Sequence, residues 1–240
     1  MKIRSALLAF AVAGVPGSTP GLAQNAYITG TPSDSVSVID TAKNTVIATI
    51  PVGSAPEGVG VSPDGTRIYV ANTFGGTVSV INGTTNSVDA TVPVGAGPEG
   101  VAVAPDGSKA YVAVCNNSTV STIDAKTDTV TATVTVPAGA FALAVSPNDG
   151  RRLYITNATD SVTVLDTARN AIVATIFIGH LTARSGVAVS PDGSKAYVAD
   201  YGSAAVSVID TATNAIVATI PISQGIPRRP SLTLCAGRNA

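Results

Sequence analysis

The feature that most constrains this chain is an internal repeat that occurs five times. Five tyrosines each open a short β-branched run, at spacings of 42, 42, 43 and 43 residues: Tyr27, Tyr69, Tyr111, Tyr154 and Tyr197. A unit of this length cannot bury its apolar faces alone, so repeated units stack on one another. The fold must therefore use one supersecondary unit five times.

Turn signals recur in phase with these tyrosines. Pro-Asp-Gly lies at Pro63–Gly65, Pro105–Gly107 and Pro191–Gly193, and a variant with one inserted residue lies at Pro147–Gly150. Proline presets φ at the first turn position, and glycine can take the positive φ that a chain reversal requires. A second turn residue, whose side chain we expect to bond the backbone downstream, recurs at Asp40, Asn82, Asp124, Asp166 and Asp210.

Four segments in each repeat have strand character. In the second copy they are Gly58–Ser62, Arg67–Ala71, Thr77–Ile81 and Ser87–Val94, each rich in β-branched residues or tyrosine and bounded by turn residues. No segment has a sustained helical period, which argues against a helical solenoid. Four antiparallel strands in about 42 residues match one propeller blade. We therefore predict an all-β fold, a β-propeller of five four-stranded blades.

The two ends of the chain differ from the repeats. Lys2 and Arg4, the apolar run that follows and the small residues up to Ala23 predict an export signal over 1–23 and a periplasmic or secreted protein. Residues 24–240 then form one propeller domain, with repeats near 26–57, 58–99, 100–140, 141–185 and 186–240. The first repeat lacks its innermost strand, and we expect the tail Pro230–Leu234 to supply it and close the ring. A piece of a larger ring would instead expose two sheet edges and self-associate.

Composition narrows the classes of partner. Charged residues make up 12% of the chain and the formal net charge is −1, so no general field attracts nucleic acid. No apolar stretch is long enough to span a membrane. Cys115 and Cys235 fit no metal-ligand spacing. We expect two unpaired or weakly paired thiols, although export to an oxidising compartment would allow them to form a disulfide.

One copy of the repeat carries a family resemblance. The stretch Tyr69-Val-Ala-Asn-Thr, followed by Thr77-Val-Ser-Val-Ile-Asn and then Pro98-Glu-Gly-Val, resembles the YVTN family of bacterial β-propeller repeats. The resemblance extends from Ala26 to Ile222 and implies a propeller. Many members have seven blades, so five copies depart from the commoner pattern. Similar repeats occur in surface-layer, lactonase-like and haem d1-biosynthesis proteins, so the resemblance implies no single function.

Propeller geometry predicts which residues share one opening, because loops between blades lie at the same end as loops between second and third strands. The inter-blade loops contribute Glu57, Glu99, Phe141 and Arg184, and the other loops contribute Asn72, Asn116, Asn157, Asp160 and Asp200. A mouth lined by a few polar groups is the usual small-ligand site. Our ligand-binding candidates are Glu57, Glu99, Asn72, Asn157, His180, Arg184 and Asp200. Glu57 and Glu99 repeat in Pro-Glu-Gly, which fits equally a structural residue that accepts backbone N–H bonds.

No catalytic residue, metal ligand or cofactor is assigned from the sequence. His180 is the only histidine and, by residue type, the best candidate for acid–base work. A zinc or haem site would want several such ligands. The chain has no Gly-x-Ser-x-Gly elbow and no phosphate-cradling loop before a helix.

Three functions are compatible with these features. The favoured one is an exported binding or scaffold protein that presents loops to a protein or small-molecule partner. The alternative is a lactonase-like or other metal-assisted enzyme acting at the central mouth. The second alternative is a surface-layer or adhesive protein.

Overall fold

The computed structural model describes residues 10–12, 25–179, 185–200 and 203–222. They form five four-stranded antiparallel sheets, which are the blades of a β-propeller and are numbered 1 to 5 along the chain. The predicted all-β fold with five four-stranded blades is confirmed. Within the described residues, no helix is long and apolar enough to cross a membrane.

The strands follow one another in chain order within every sheet. Blade 1 has β1 Phe10–Val12, β2 Asn25–Gly30, β3 Ser35–Asp40 and β4 Thr45–Pro51. Blade 2 has β5 Pro56–Val61, β6 Arg67–Asn72, β7 Thr77–Asn82 and β8 Ser87–Pro93. Blade 3 has β9 Pro98–Val103, β10 Lys109–Val114, β11 Thr119–Asp124 and β12 Thr129–Thr135. Blade 4 has β13 Ala140–Val145, β14 Arg152–Asn157, β15 Ser161–Asp166 and β16 Ala171–Phe177. Blade 5 has β17 Val187–Val189, β18 Lys195–Asp200, β19 Ala205–Asp210 and β20 Ala215–Pro221.

The turns form as the sequence predicts. Asp40 Oδ1 accepts bonds from the backbone N–H groups of Ala42 and Lys43, at 2.9 and 3.1 Å, and Asp124 and Asp166 act in the same way. The glycines of the Pro-Asp-Gly turns have positive φ, for example 70° at Gly65. Each blade is therefore closed at one end by turns that its own side chains stabilise.

The chain divides into two compact units, Met1–Val112 with Thr122–Thr131 and Ala113–Ser121 with Ala132–Ala240. In the first unit, apolar side chains of blades 1 and 2 form one core: Tyr27, Val36, Val38, Ile50, Ile68, Val70 and Ile81. In the second unit, blades 4 and 5 share an equivalent core: Tyr154, Val162, Val164, Ile176, Ala196, Val198 and Ile209. The middle strands of blades 2 and 4 are buried on both faces, which explains their continuous apolar runs. That residues 24–240 form a single domain stays a prediction.

The repeated tyrosine packs between blades. Tyr27, Tyr69, Tyr111 and Tyr154 are fully buried, whereas Tyr197 is 40% exposed. In blades 1 and 4 the ring is part of the core shared with the following blade. The tyrosine is therefore an inter-blade packing residue.

The innermost strand of blade 1 differs from our expectation. Phe10–Val12 pairs antiparallel with β2, with Phe10 opposite Ile28 and Val12 opposite Ala26. The tail Pro230–Leu234, which we expected beside β2, lies outside the described residues. The strand beside β2 is thus contributed by the N-terminal segment, because any extended segment can satisfy the backbone groups of an open edge.

The expectation of unpaired thiols is also corrected. Cys115 is buried and disulfide-bonded. The sequence contains one other cysteine, Cys235, which lies outside the described residues. Sequence spacing could not predict the bond, because pairing depends on distance in the fold.

Candidate functional site: the loop ends of the blades

Each blade has two chemically different ends. Its hairpin end carries the turns that join its first strand to its second and its third to its fourth. Its loop end carries the connection between its second and third strands and the passage to the next blade. Backbone bonds tie these connections together in blade 2, where the N–H groups of Thr73 and Phe74 donate to the carbonyls of Ala55 and Ser54, at 3.0 and 3.2 Å. The loop end is therefore a fixed surface.

Glu57 and Glu99 lie on the neighbouring innermost strands of blades 2 and 3. Each is the second residue of its strand, β5 or β9, and not part of an inter-blade loop as we expected. Both are half-buried. The strands approach so closely that a Cβ on Gly58 would lie 1.8 Å from the Glu99 carbonyl oxygen. A shift in register between Pro56 and Val59 marks an irregularity at Glu57, of the kind that re-aims a side chain.

Threonine hydroxyls fasten the loop end of one blade to the innermost strand of the next. Thr31 Oγ1 donates to the Pro56 carbonyl at 2.9 Å, and Thr73 Oγ1 donates to the Pro98 carbonyl at 2.8 Å. Thr29 and Thr156 make the same kind of bond from the second strand, to Glu57 and Ser185, each at 2.9 Å. Our sequence reasoning missed this set. The signal was present, because Thr31 and Thr73 each follow the repeated tyrosine by four residues.

Phe74 is the second residue that sequence reasoning missed. It lies in the connection between β6 and β7 and its side chain is 82% exposed, while its backbone is bonded to Ser54. A large aromatic side chain on a fixed, exposed loop is a feature of binding surfaces. No other repeat carries phenylalanine at this position, so the repeat pattern gave no signal for it.

The two candidate asparagines are buried below the loop ends and bond to hydroxyl groups of the neighbouring strand. Asn72 and Asn157 end β6 and β14 and are buried. Asn72 Nδ2 donates to Thr77 and Ser79 at 3.0 Å each, and Asn157 Nδ2 donates to Thr163 at 2.8 Å. In both residues the amide oxygen is buried without a hydrogen-bond partner. Neither side chain lies on the exposed surface.

The remaining candidates divide between described and undescribed parts of the chain. Asp200 ends β18, is buried, and accepts bonds from the hydroxyl and the backbone N–H of Ser203. Phe141 is buried in β13, and Asn116 is exposed after β10. His180 and Arg184 lie outside the described residues.

Charge is distributed unequally between the two ends of the blades. In the described part of the chain, every lysine and arginine lies at a hairpin end: Lys43, Arg67, Lys109, Lys126, Arg151, Arg152, Arg169 and Lys195. Among the described residues, the loop ends carry acidic side chains and no basic ones: Asp34, Glu57, Glu99, Asp160 and Asp200. The hairpin ends neutralise part of their charge in ion pairs such as Arg67 to Asp128, at 2.6 Å. Ten of the described acidic residues lie at the hairpin ends with those eight basic residues, whereas the loop ends have no described basic residue.

No set of three or more His, Cys, Asp or Glu side chains among the described residues could hold a metal ion. Haem iron takes His, Cys, Met or Tyr as an axial ligand. Cys115 is disulfide-bonded, and four of the repeated tyrosines are buried in the core. Tyr197 is exposed but lies inside β18, three residues before its loop end. The single histidine lies outside the described residues. The described loop ends therefore do not fit haem ligation.

Five sequence-related four-stranded blades with fixed loop ends define a β-propeller repeat protein. The chain belongs to the SMP-30/gluconolactonase/LRE-like family, whose model matches residues 21–159. A second model, the cytochrome D1 heme domain, matches residues 106–231. The two matches overlap at residues 106–159, which is consistent with both models matching blade repeats.

The fold is also similar to that of a solved structure. A chain titled Kuenenia stuttgartiensis hydrazine synthase matches with a TM-score of 0.69 and 18% sequence identity, over 91% of this chain and 88% of that chain. At this identity the similarity concerns the fold alone. The comparison with curated proteins gave no significant match.

Proposed function

We propose that this chain is an exported binding protein whose loop ends in blades 1 to 3 take a cationic ligand or a basic segment of a partner. The observation that carries the proposal is Phe74, an 82% exposed phenyl ring on a loop held by backbone bonds. Asp34, Glu57 and Glu99 lie at these loop ends, whereas every described lysine and arginine lies at a hairpin end. An ammonium or guanidinium group can contact an aromatic ring and a carboxylate together.

The rigidity of this surface supports binding. The bonds from Thr31 and Thr73 to the neighbouring innermost strand order the loops before any ligand arrives. A surface that is ordered in advance loses less conformational entropy on association. Export is part of the proposal and is supported by the signal-like residues 1–23 and by the disulfide at Cys115, since disulfides persist in oxidising compartments.

Calorimetric titration with a hexalysine peptide and, separately, a hexaglutamate peptide tests the proposal. We expect hexalysine to bind and hexaglutamate not to bind, with hexalysine binding weakened by salt. Phe74→Ala and the double variant Glu57→Gln/Glu99→Gln should each weaken hexalysine binding about two- to fivefold. Asp89→Asn removes an exposed carboxylate from β8 and is the matched control. Equal affinity of wild type and all variants, or no binding of hexalysine, would contradict the proposal.

A lactonase-like enzyme is the second candidate, favoured by the family match over residues 21–159, which include Glu57 and Glu99. Hydrolysis of gluconolactone can be followed by acid release, with and without added Ca²⁺, Mn²⁺ or Zn²⁺. Activity that depends on the metal and is lost in Glu57→Gln or Glu99→Gln would favour the enzyme. Background rates under all conditions would leave the binding protein as the better proposal.

A further inference from the structure

The loop end of blade 4 carries an acidic residue, Asp160, and an exposed aromatic residue, Phe177. Phe177 is 70% exposed and is paired with Ser161, the residue after Asp160. The carbonyl of Asp160 accepts the backbone N–H of Ile178 at 2.9 Å, so the two connections are bonded to each other. Among the described residues, no lysine or arginine pairs with the Asp160 carboxylate.

A buried acceptor lies beneath this surface, as Asn72 does in blade 2. The Asn157 side chain is 1% exposed, and its amide oxygen has no hydrogen-bond partner among the described residues. Buried acceptors are normally satisfied by protein or by ordered water. The blade 4 loop end thus combines an unpaired carboxylate, an exposed ring and a buried acceptor.

The described chain ends at the loop end of blade 5, the blade that follows blade 4. Ile222, the last described residue, donates its N–H to the carbonyl of Ala204 at the loop end of blade 5, at 2.8 Å. Cys115, at the loop end of blade 3, is disulfide-bonded, and Cys235 is the only other cysteine of the sequence. A segment that joins Ile222 to a bond at Cys115 must pass from blade 5 to blade 3, and blade 4 lies between them in the chain.

The length of this segment is sufficient. Thirteen residue steps separate Ile222 from Cys235, and an extended chain of that length reaches roughly 43–47 Å. Packed sheets lie about 10 Å apart, so two blade-to-blade steps require roughly 20 Å. The segment has slack to follow the surface.

Its charge is complementary to the blade 4 loop end. Residues 223–240 contain three arginines and no acidic residue. Arg228 and Arg229 lie midway between Ile222 and Cys235. A guanidinium group can stack on a phenyl ring and pair with a carboxylate at once.

We propose that the C-terminal segment, residues 223–240, docks on the loop end of blade 4, with Cys235 bonded to Cys115 and Arg228 or Arg229 against Asp160 and Phe177. The loop end of blade 4 is then covered by the chain itself. This inference goes beyond the proposed function, which concerns blades 1 to 3, and either can fail without the other. It also differs from our expectation from the sequence, in which Pro230–Leu234 forms the strand beside β2.

Peptide mapping without reduction tests the covalent anchor. Trypsin releases Ala110–Lys126 with Cys115 and Arg229–Arg238 with Cys235. We expect the two peptides to be joined by a disulfide in a protein that is monomeric by native mass spectrometry. Free thiols at both cysteines, or a bond found in a dimer alone, would overturn the anchor.

Cleavage of the native protein by chymotrypsin after Leu232 tests the docking itself, with fragments weighed after reduction. Asp160→Asn, Phe177→Ala and Arg228→Gln/Arg229→Gln should each be cleaved about two- to fivefold faster than wild type, the range expected for loss of one exposed ion pair or ring contact. Asp160→Asn combined with the arginine changes should be no faster than either alone. Asp89→Asn is the control, and circular dichroism checks that each variant is folded. Wild-type cleavage rates in all three variants would overturn the docking even if the disulfide is present.

Discussion

The aspartates of the turns show how one side chain shapes several backbone groups. Asp166 accepts two backbone N–H bonds from the turn that follows it, and the Arg169 N–H holds its pKa below the usual range. Asp192 accepts bonds from the Ser190 and Ser194 hydroxyls, which with a backbone N–H lower its pKa to about 2. The Lys195 ammonium beside Asp210, at 2.6 Å, and the Thr213 bonds lower the Asp210 pKa to about 2. These carboxylates stabilise the fold in their charged form.

Stability should therefore fall in acid. Because folding lowers these pKa values, their contribution is fully present above the ordinary value of 3.8 and is lost as the pH falls through the folded value near 2. Urea unfolding at pH 5, 4, 3 and 2.5 measures the decline. Asp192→Asn and Asp210→Asn should each lower stability at pH 5 and flatten the decline between pH 4 and 2.5. Asp89→Asn is the control, and the same slope in all three variants would contradict the prediction.

The hydrogen bond from the Thr73 hydroxyl to the Pro98 carbonyl can be tested by a single substitution. Thr73→Val keeps the shape of the side chain and leaves the Pro98 carbonyl without its donor. We expect a loss of about 1–2 kcal/mol of unfolding free energy. Thr84→Val, at an exposed turn position after β7, is the matched control and should be near neutral. Urea denaturation of both variants gives the comparison, and a Thr73→Val protein as stable as the control would show that the bond contributes nothing.

At the scale of the strand, the innermost and outermost strands of a blade have different surroundings. In blades 1, 2 and 4 the innermost strand lies against that of the following blade. The closest approach is between β5 and β9, where Gly58 meets the Glu99 carbonyl. The outermost strand of a blade faces solvent, and in blades 1, 2, 4 and 5 the pairing with the third strand shifts register near the start of the outer strand. Such bulges twist an exposed edge and oppose pairing with another chain. The outer strands can thus carry exposed valine and isoleucine without offering a regular edge.

The innermost strands provide a matched pair of glycine variants. A Cβ at Gly58 would overlap backbone at 1.8 Å, whereas Gly186, the equivalent residue of blade 5, has nothing within 4 Å. Gly58→Ala should cost about 1–3 kcal/mol through overpacking. Gly186→Ala should range from neutral to about 1 kcal/mol more stable, since it restricts the unfolded chain. Thermal and urea unfolding of the two variants measures the difference, and equal stabilities would contradict the close approach of β5 and β9.

At the scale of the whole molecule, the two ends of the blades have different electrostatic character. The described basic residues are confined to hairpin ends, where they meet turn aspartates, and the loop ends keep acidic charge. A formal net charge of −1 therefore does not describe the charge at any one end of a blade. Net charge alone hides this separation.

Export has a consequence for the first blade. If the signal is cleaved after Ala23, the mature chain lacks Phe10–Val12, and the edge of β2 that this strand covers is left open. Intact mass of the protein from the exported fraction should correspond to a chain that begins at Gln24. Ala23→Phe, which places a large side chain at the predicted cleavage site, should retain residues 1–23. An exported wild-type protein that keeps residues 1–23 would show that Phe10–Val12 is part of the mature fold.

The sequence alone determined the blade, its strands and its turns. Pro-Asp-Gly and the recurring Asp40-type residue act within one repeat, and local signals that agree with one another specify local structure. The structure confirmed them, and it moved Glu57 and Glu99 from loops into the first strands of their blades.

Contacts between residues of different repeats were decided only by the tertiary structure. The bonds from Thr73 to Pro98, the buried disulfide at Cys115 and the pairing of Phe10–Val12 with β2 each join residues far apart in the chain or in different blades. Phe74 is exposed because the loop that carries it is bonded away from the core. Long-range contacts and exposure depend on how the blades stack, and no pattern within a single 42-residue repeat encodes that arrangement.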